Sequence, residues 1–146
     1  MQQIYAIQYQ LVMGVKIKGK YENNFSCSLV HDSGEEVYTD APKDNNGNGQ
    51  AFSPTDLVAA ALASCMMTII AIRANGKNIS IGQPTFSIEK IMKTSPRMIQ
   101  EIKIEISFSV PLTYNDQTYL ESEARKCPVA LSLNPEINQN VEFKYG

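Results

Sequence analysis

From Ala51 to Ala74 the chain reads AFSPTDLVAAALASCMMTIIAIRA. Between Leu57 and Ile72 only Ser64 and Thr68 are not clearly apolar, and both are small. The run predicts one long helix without a polar face, and a helix that is apolar all round is a buried one. Its length is close to the roughly 20 residues of a membrane span. Its alanines, its short polar interruption and a soluble-looking remainder favour the central core helix of a globular domain, with no membrane partner. Ser53-Pro54-Thr55-Asp56 supplies the start: Ser as N-cap, Pro at the first helical position, an acid three residues after the cap. The end is expected near Asn75-Gly76, with Gly76 as the left-handed C-cap residue.

On either side of this helix the pattern changes to period two, the mark of strands with one wet face. Val15 to Tyr21, Phe25 to His31 and Glu35 to Thr39 predict a three-stranded meander, joined by Asn23-Asn24 and Asp32-Ser33-Gly34. Asp40 to Gly49, DAPKDNNGNG, is a loop. After the helix, Thr85 to Met92 and Ile99 to Val110 predict a hairpin, with Lys90 and Lys93 read as polar positions. In its second strand Ile102, Ile104, Ile106 and Phe108 face a core while Lys103, Glu105 and Ser107 face out. Asn115 or Asp116 is expected to cap a short helix through about Arg125. Cys127-Pro128 opens another over Val129 to Leu133, and Asn140 to Tyr145 forms a final strand. Residues 1–13 read as an N-terminal extension or extra strand, and residues 14–146 as a single domain.

A formal net charge of -2 and a pI near 5.4 leave no basic footprint, so nucleic acid is not an expected partner. Three cysteines, Cys27, Cys65 and Cys127, are odd in number and far apart, which is no secreted disulfide framework. The N-terminus has no signal-peptide pattern, so a cytoplasmic protein with reduced thiols is expected. One His, His31, and cysteines without ligand spacing give no zinc signal, and no metal or cofactor is expected. A Cys-His hydrolase through His31 has no support in the spacing.

The cysteines differ in local setting. Cys27 lies mid-strand between Ser26 and Ser28 and reads as a small strand residue. Cys127 precedes Pro128 at the N-cap of a short helix, where backbone N–H groups favour a thiolate and Arg125 and Lys126 push the same way. It is equally a tolerated N-cap in place of Ser. Cys65 lies mid-helix among Met66, Met67 and alanines, where burial raises a thiol's pKa. Alone it reads as inert unless a group from elsewhere activates it. Asp56 is excluded from that role: nine residues at about 100° each place it on the opposite side of the helix.

The runs TDAPKDNNGNGQAFSPTDLVAAALASCMMT and ARKCPVALSLNPEINQNVEF combine a Pro-x-x-Leu helix start, a Cys ten to eleven residues after that Pro, and a distant Cys-Pro-Val. Together they resemble the family of osmotically inducible protein C (OsmC) and organic hydroperoxide resistance (Ohr) proteins, over nearly the whole chain from about Gly14. The resemblance implies an α+β, OsmC-like fold in the order β-β-β-α-β-β-α-α-β. It also implies a long central buried helix and an intertwined homodimer wrapped by sheet from both chains. It implies a Cys-dependent thiol peroxidase acting on small organic hydroperoxides. Cys65 matches the peroxidatic cysteine, which becomes a sulfenic acid; Cys127 matches the resolving cysteine, which closes a disulfide; a dithiol reductant restores both.

The chain also departs from the family. Active members carry an Arg in the N-terminal strands and a Glu just after the helix-start Pro. Here Thr55 follows Pro54 and no Arg precedes Arg73. Lys16, Lys18 and Lys20 offer point charges rather than a planar fork. This motivates a second expectation, a non-enzymatic protein that binds a small apolar ligand.

Overall fold

The computed structural model describes residues 14–146, so the expected extension or extra strand over 1–13 lies outside the described residues. The chain packs as two compact units that divide between Ala51 and Phe52.

In the first unit, β1 (Ile17–Asn23), β2 (Ser26–His31) and β3 (Glu36–Asp40) form an antiparallel meander in the order β1-β2-β3. Register places Ile17, Tyr21, Cys27, Leu29, Val37 and Thr39 on one face. Ile17, Tyr21 and Val37 on that apolar face stay exposed within the chain. The β1–β2 turn uses positive φ at Asn23, Asn24 and Phe25, so β2 begins one residue later than its alternation suggests. The loop after β3 holds a short 3-10 turn over Lys43–Asn45. Buried Asp40 pins the loop by accepting from the Gln50 N–H at 3.0 Å. Gly47 lies against Ala41, where a Cβ would collide with the backbone carbonyl.

The second unit is built on α1 (Pro54–Gly76) and a second sheet of β4 (Thr85–Thr94), β5 (Arg97–Phe108) and β6 (Asn138–Tyr145), in the order β4-β5-β6. β4 and β5 form the expected hairpin, whereas β6 runs parallel to β5. A parallel neighbour requires a crossover, and α2 (Tyr114–Ala124) and α3 (Pro128–Ser132) supply it. Ile102, Ile104, Ile106 and Phe108 are buried, as the alternation of β5 predicts. They pack with Leu62, Met66 and Ile70 of α1 and Leu120 and Ala124 of α2 in one core. The element order and the α+β class are those expected.

Four local expectations are corrected. Only one stripe of α1 is buried within the chain: Ala59, Leu62, Ala63, Met66, Ile70 and Ala74. Ser64, Thr68 and Ile72 on the other side are open, Ile72 at 57% exposure. One sheet and two short helices can cover a helical cylinder from one side only. The left-handed residue after α1 is Asn78 (φ 56), not Gly76, which is still helical. Thr113, rather than Asn115 or Asp116, caps α2, accepting from the Asp116 N–H.

Lys90 is the fourth. Its register opposite Ile102 turns it inward, and its side chain is 14% exposed. There it meets the capped start of α1. Ser53 and Asp56 form the expected reciprocal capping box, Ser53 Oγ accepting from Asp56 N at 3.1 Å and Asp56 Oδ2 from Ser53 N at 2.8 Å. The Lys90 ammonium donates to Thr55 Oγ1 and Asp56 Oδ1, both at 2.7 Å, and to Ser53 Oγ at 3.3 Å. Burial alone pushes the Asp56 carboxyl up, but hydrogen bonds from Lys90 and Ser53 outweigh it and hold it below the usual carboxylate range.

Lys90→Met removes the cation from three acceptors. With Asp56 41% exposed and so screened by solvent, the expected loss is about 1–2 kcal/mol, read as a lower urea midpoint at neutral pH. A carboxylate held low stabilises the fold above its unfolded pKa and loses that contribution as pH falls through its folded pKa. The gap between wild type and Lys90→Met therefore narrows below about pH 4. A gap that is constant with pH contradicts the assignment to Asp56.

Candidate active site

Cys65 sits in the fourth turn of α1, half-buried at the edge of the core. Its neighbours Ser64 and Thr68 do not serve it. Ser64 Oγ donates to the Ala60 carbonyl at 2.8 Å, and Thr68 Oγ1 donates to the Ser64 carbonyl at 2.8 Å. Both hydroxyls are turned back onto their own helix.

Cys127 is fully buried and caps α3, its Sγ accepting from the Ala130 N–H at 3.3 Å. The fold brings the two cysteines into one neighbourhood of the core, close enough for Cys65 to help push the Cys127 thiol up. The balance at Cys127 differs from its local reading. Burial pushes the thiol up and Cys65 adds to that, against the opposing backbone N–H groups of Ala130 and Val129. The cations expected to lower it are engaged elsewhere. Arg125 Nη2 donates to the Val141 carbonyl at 3.1 Å, and its guanidinium lies over Phe143. Lys126 donates to Glu123. Cys127 thus resists ionisation, against what its N-cap position alone would favour.

The segments carrying these sulfurs are tied by contacts that local sequence did not single out. Arg73, eight residues after Cys65, pairs with Glu123 (Nε to Oε2, 2.8 Å). Lys126, one residue before Cys127, holds the other oxygen (Nζ to Oε1, 2.8 Å). The Glu123 side chain is 17% exposed. The Lys126 hydrogen bond, then the charges of Lys126 and Arg73, keep its carboxyl below the usual carboxylate range. One turn away, Lys77 lies over the Tyr119 ring at 3.6 Å. Residues 73 and 77 follow α1 with helical spacing, as residues 119 and 123 do α2, so the two contacts form adjacent rungs.

The remaining candidates take no part in this arrangement. The His31 ring closes its own turn, Nδ1 lying 2.8 Å from Ser33 Oγ and accepting from Ser33 N at 3.0 Å. Cys27 is a free, half-buried thiol in β2, opposite Tyr21 and Thr39. Lys20 is paired with Glu22 at 2.8 Å. Among the described residues, no group of three or more His, Cys, Asp or Glu side chains could hold a metal ion. On the side of α1 away from Cys65, a groove of about 350 Å³ is lined by Phe52, Ala59, Ala60, Phe86 and Ile88, with the Asp56–Lys90 pair also on its wall.

The comparisons with known proteins agree with this architecture. A Psychrobacter arcticus protein named for an osmotic stress induced and detoxification response is similar at 40% identity. The match covers 94% of this chain and 99% of that one, with a TM-score of 0.83. An organic hydroperoxide resistance protein OsmC from Legionella pneumophila shares the fold at 19% identity (91% and 98% covered, TM-score 0.75). So does an organic hydroperoxide resistance protein from Elizabethkingia anophelis at 15% identity (94% and 99%, TM-score 0.76). No curated protein sequence matches the chain. The family model described as OsmC-like protein matches residues 47–142, a span that includes α1, Cys65, Cys127 and most of the second sheet. The chain belongs to the OsmC-like protein family.

Proposed function

We propose that this chain is a Cys-dependent thiol peroxidase that reduces organic hydroperoxides in a reducing, cytoplasmic setting. The observation that carries the reading is that half-buried Cys65 and buried Cys127, distant in sequence, share one neighbourhood of the core. In the cycle, the Cys65 thiolate attacks the O–O bond of the hydroperoxide. It takes one oxygen to become a sulfenic acid while the alcohol leaves with a proton. The Cys127 thiol then attacks the Cys65 sulfur, the S–O bond breaks, water departs and a disulfide forms. A dithiol reductant returns both thiols through exchange. Met66, Met67 and Ile69 on either side of Cys65 make an apolar setting suited to an alkyl or aryl hydroperoxide. The similarity to proteins named for organic hydroperoxide resistance supports the same reading.

The homodimer belongs to this proposal. Ile17, Tyr21, Phe25, Phe52 and Ile72 are large apolar side chains, each more than half exposed in the single chain. Large apolar side chains left open on both units are surface that a second copy would cover. A second copy covering them also accounts for a helix that is apolar all round yet buried along one stripe.

A second reading rests on the groove beside Phe52 and Phe86. With Thr55 bound to Lys90 rather than serving as an acid near Cys65, the chain would act as a carrier of a small apolar molecule with unreactive thiols.

Peroxide consumption separates the two. With cumene hydroperoxide and a dithiol donor, the wild type is expected to turn over, Cys65→Ser to lose at least a hundredfold in rate, and Cys127→Ser to stop after one turnover. Absence of wild-type turnover with any organic hydroperoxide overturns the peroxidase. Light scattering of the purified protein is expected to give twice the 16.2 kDa chain mass. A monomer at micromolar concentration removes the dimer from the proposal.

A further inference from the structure

We propose that Glu123 is the positioning residue that sets the approach of Cys127 to Cys65, by bridging Arg73 on one cysteine's helix and Lys126 beside the other. The inference deepens the peroxidase reading and rests on it for its biological meaning.

The geometry is that of a single carboxylate with each oxygen committed to a different cysteine-bearing segment. Arg73 Nε reaches Oε2 at 2.8 Å and Lys126 Nζ reaches Oε1 at 2.8 Å. Arg73 stands on α1, the rigid helix that carries Cys65. Lys126 is joined covalently to Cys127, and its own N–H bonds the Glu123 carbonyl at 3.1 Å. The Cys127 N–H bonds the Ala124 carbonyl at 3.1 Å, so the end of α2 dictates where Cys127 begins α3. The Lys77–Tyr119 rung restrains rotation of α2 about its own axis, and Glu123 then fixes the turn nearest the sulfur.

Apolar packing also holds this region, through Leu120, Ala124 and Ala74. Small apolar contacts tolerate sliding, however, whereas a two-sided carboxylate specifies one register. Disulfide closure is demanding in just this respect. The attacking Cys127 sulfur must approach along the S–O bond that breaks, and misplacement by about 1 Å can cost about a hundredfold. Chemistry at Cys65 alone, the transfer of oxygen from the hydroperoxide, makes no such demand on α2. Glu123 should therefore influence the second step and spare the first.

The test uses the full-length protein and follows both steps in Glu123→Gln, a substitution that keeps shape but removes the charge. Sulfenic acid is trapped with a dimedone probe after cumene hydroperoxide. Cys65–Cys127 closure is followed separately with diamide, which oxidises the thiol pair without a peroxide. The expected result is sulfenate formation within twofold of wild type and closure about tenfold slower with both oxidants. Sulfinic acid should then accumulate under excess hydroperoxide. Arg73→Lys, which keeps the charge without the Nε geometry, is expected to fall between the two. Glu105→Gln, which breaks a comparable surface pair with Lys144 (2.6 Å) on the second sheet, controls for general loss of stability. It is expected to close at the wild-type rate. Diamide closure in Glu123→Gln at the wild-type rate, or equal slowing in Glu105→Gln, overturns the positioning role. Slowed diamide closure in Glu123→Gln, alongside a wild type that ignores hydroperoxides, leaves the positioning intact and defeats the peroxidase reading instead.

Discussion

A helix with apolar residues on every side is the constraint to which the rest of this structure answers. The sheet of β4, β5 and β6 covers it with a ladder of isoleucines from β5, and α2 and α3 pack against the same core. That arrangement consumes one stripe of α1 and leaves Ser64, Thr68 and Ile72 uncovered. The polar start of so apolar a helix also has to be fixed, and the Ser53–Asp56 box with Lys90 does that. The arrangement is unusual in setting an ammonium at the positive end of a helix dipole. It is tolerable because Asp56 supplies the compensating charge and because all three Lys90 donors have acceptors.

The same helix separates two environments. On one side, Cys65 neighbours a buried thiol that burial pushes up. On the other, Lys90 and Asp56 border an apolar groove. The Asp56–Lys90 pair of the groove is neutral as a unit, whereas the Arg73–Glu123–Lys126 cluster holds one cation in excess. A cysteine here works in a setting dominated by apolar contacts and one neighbouring thiol. That is a different solution from the Arg and Glu that the family resemblance leads one to expect.

Much of this was legible from residue order. The alternation of β5 specified its buried face because period two leaves no freedom once one face is apolar. Ser53-Pro54-Thr55-Asp56 specified its own hydrogen bonds because a capping box is local. Cys127 at an N-cap followed from Pro128. The failures share a cause, in that each depends on what lies across from a residue. Lys90 reads only as a polar position until the hairpin register turns it toward α1. Arg125 and Lys126 read as thiolate-stabilising until Val141 and Glu123 are seen to claim them. The Arg73–Glu123 bridge depends on how two helices cross, which no spacing within either helix encodes. Burial of α1 on all sides was a sound expectation of composition, but composition does not say how many chains provide the cover.

The parallel pairing of β6 with β5 has a bearing on the sulfurs that goes beyond topology. Because both ends of the α2–α3 crossover are sewn into one sheet, Cys127 is not on a tail that can swing, although it lies 62 positions after Cys65. In an unfolded chain, bringing two such positions together costs loop-closure entropy that grows with the logarithm of their separation. Here that cost has been met by folding, and the thiols encounter each other as though at high local concentration. Their reactivity toward one another is consequently a measure of whether the second sheet is intact, so that a thiol count on the oxidised protein doubles as a report on the fold.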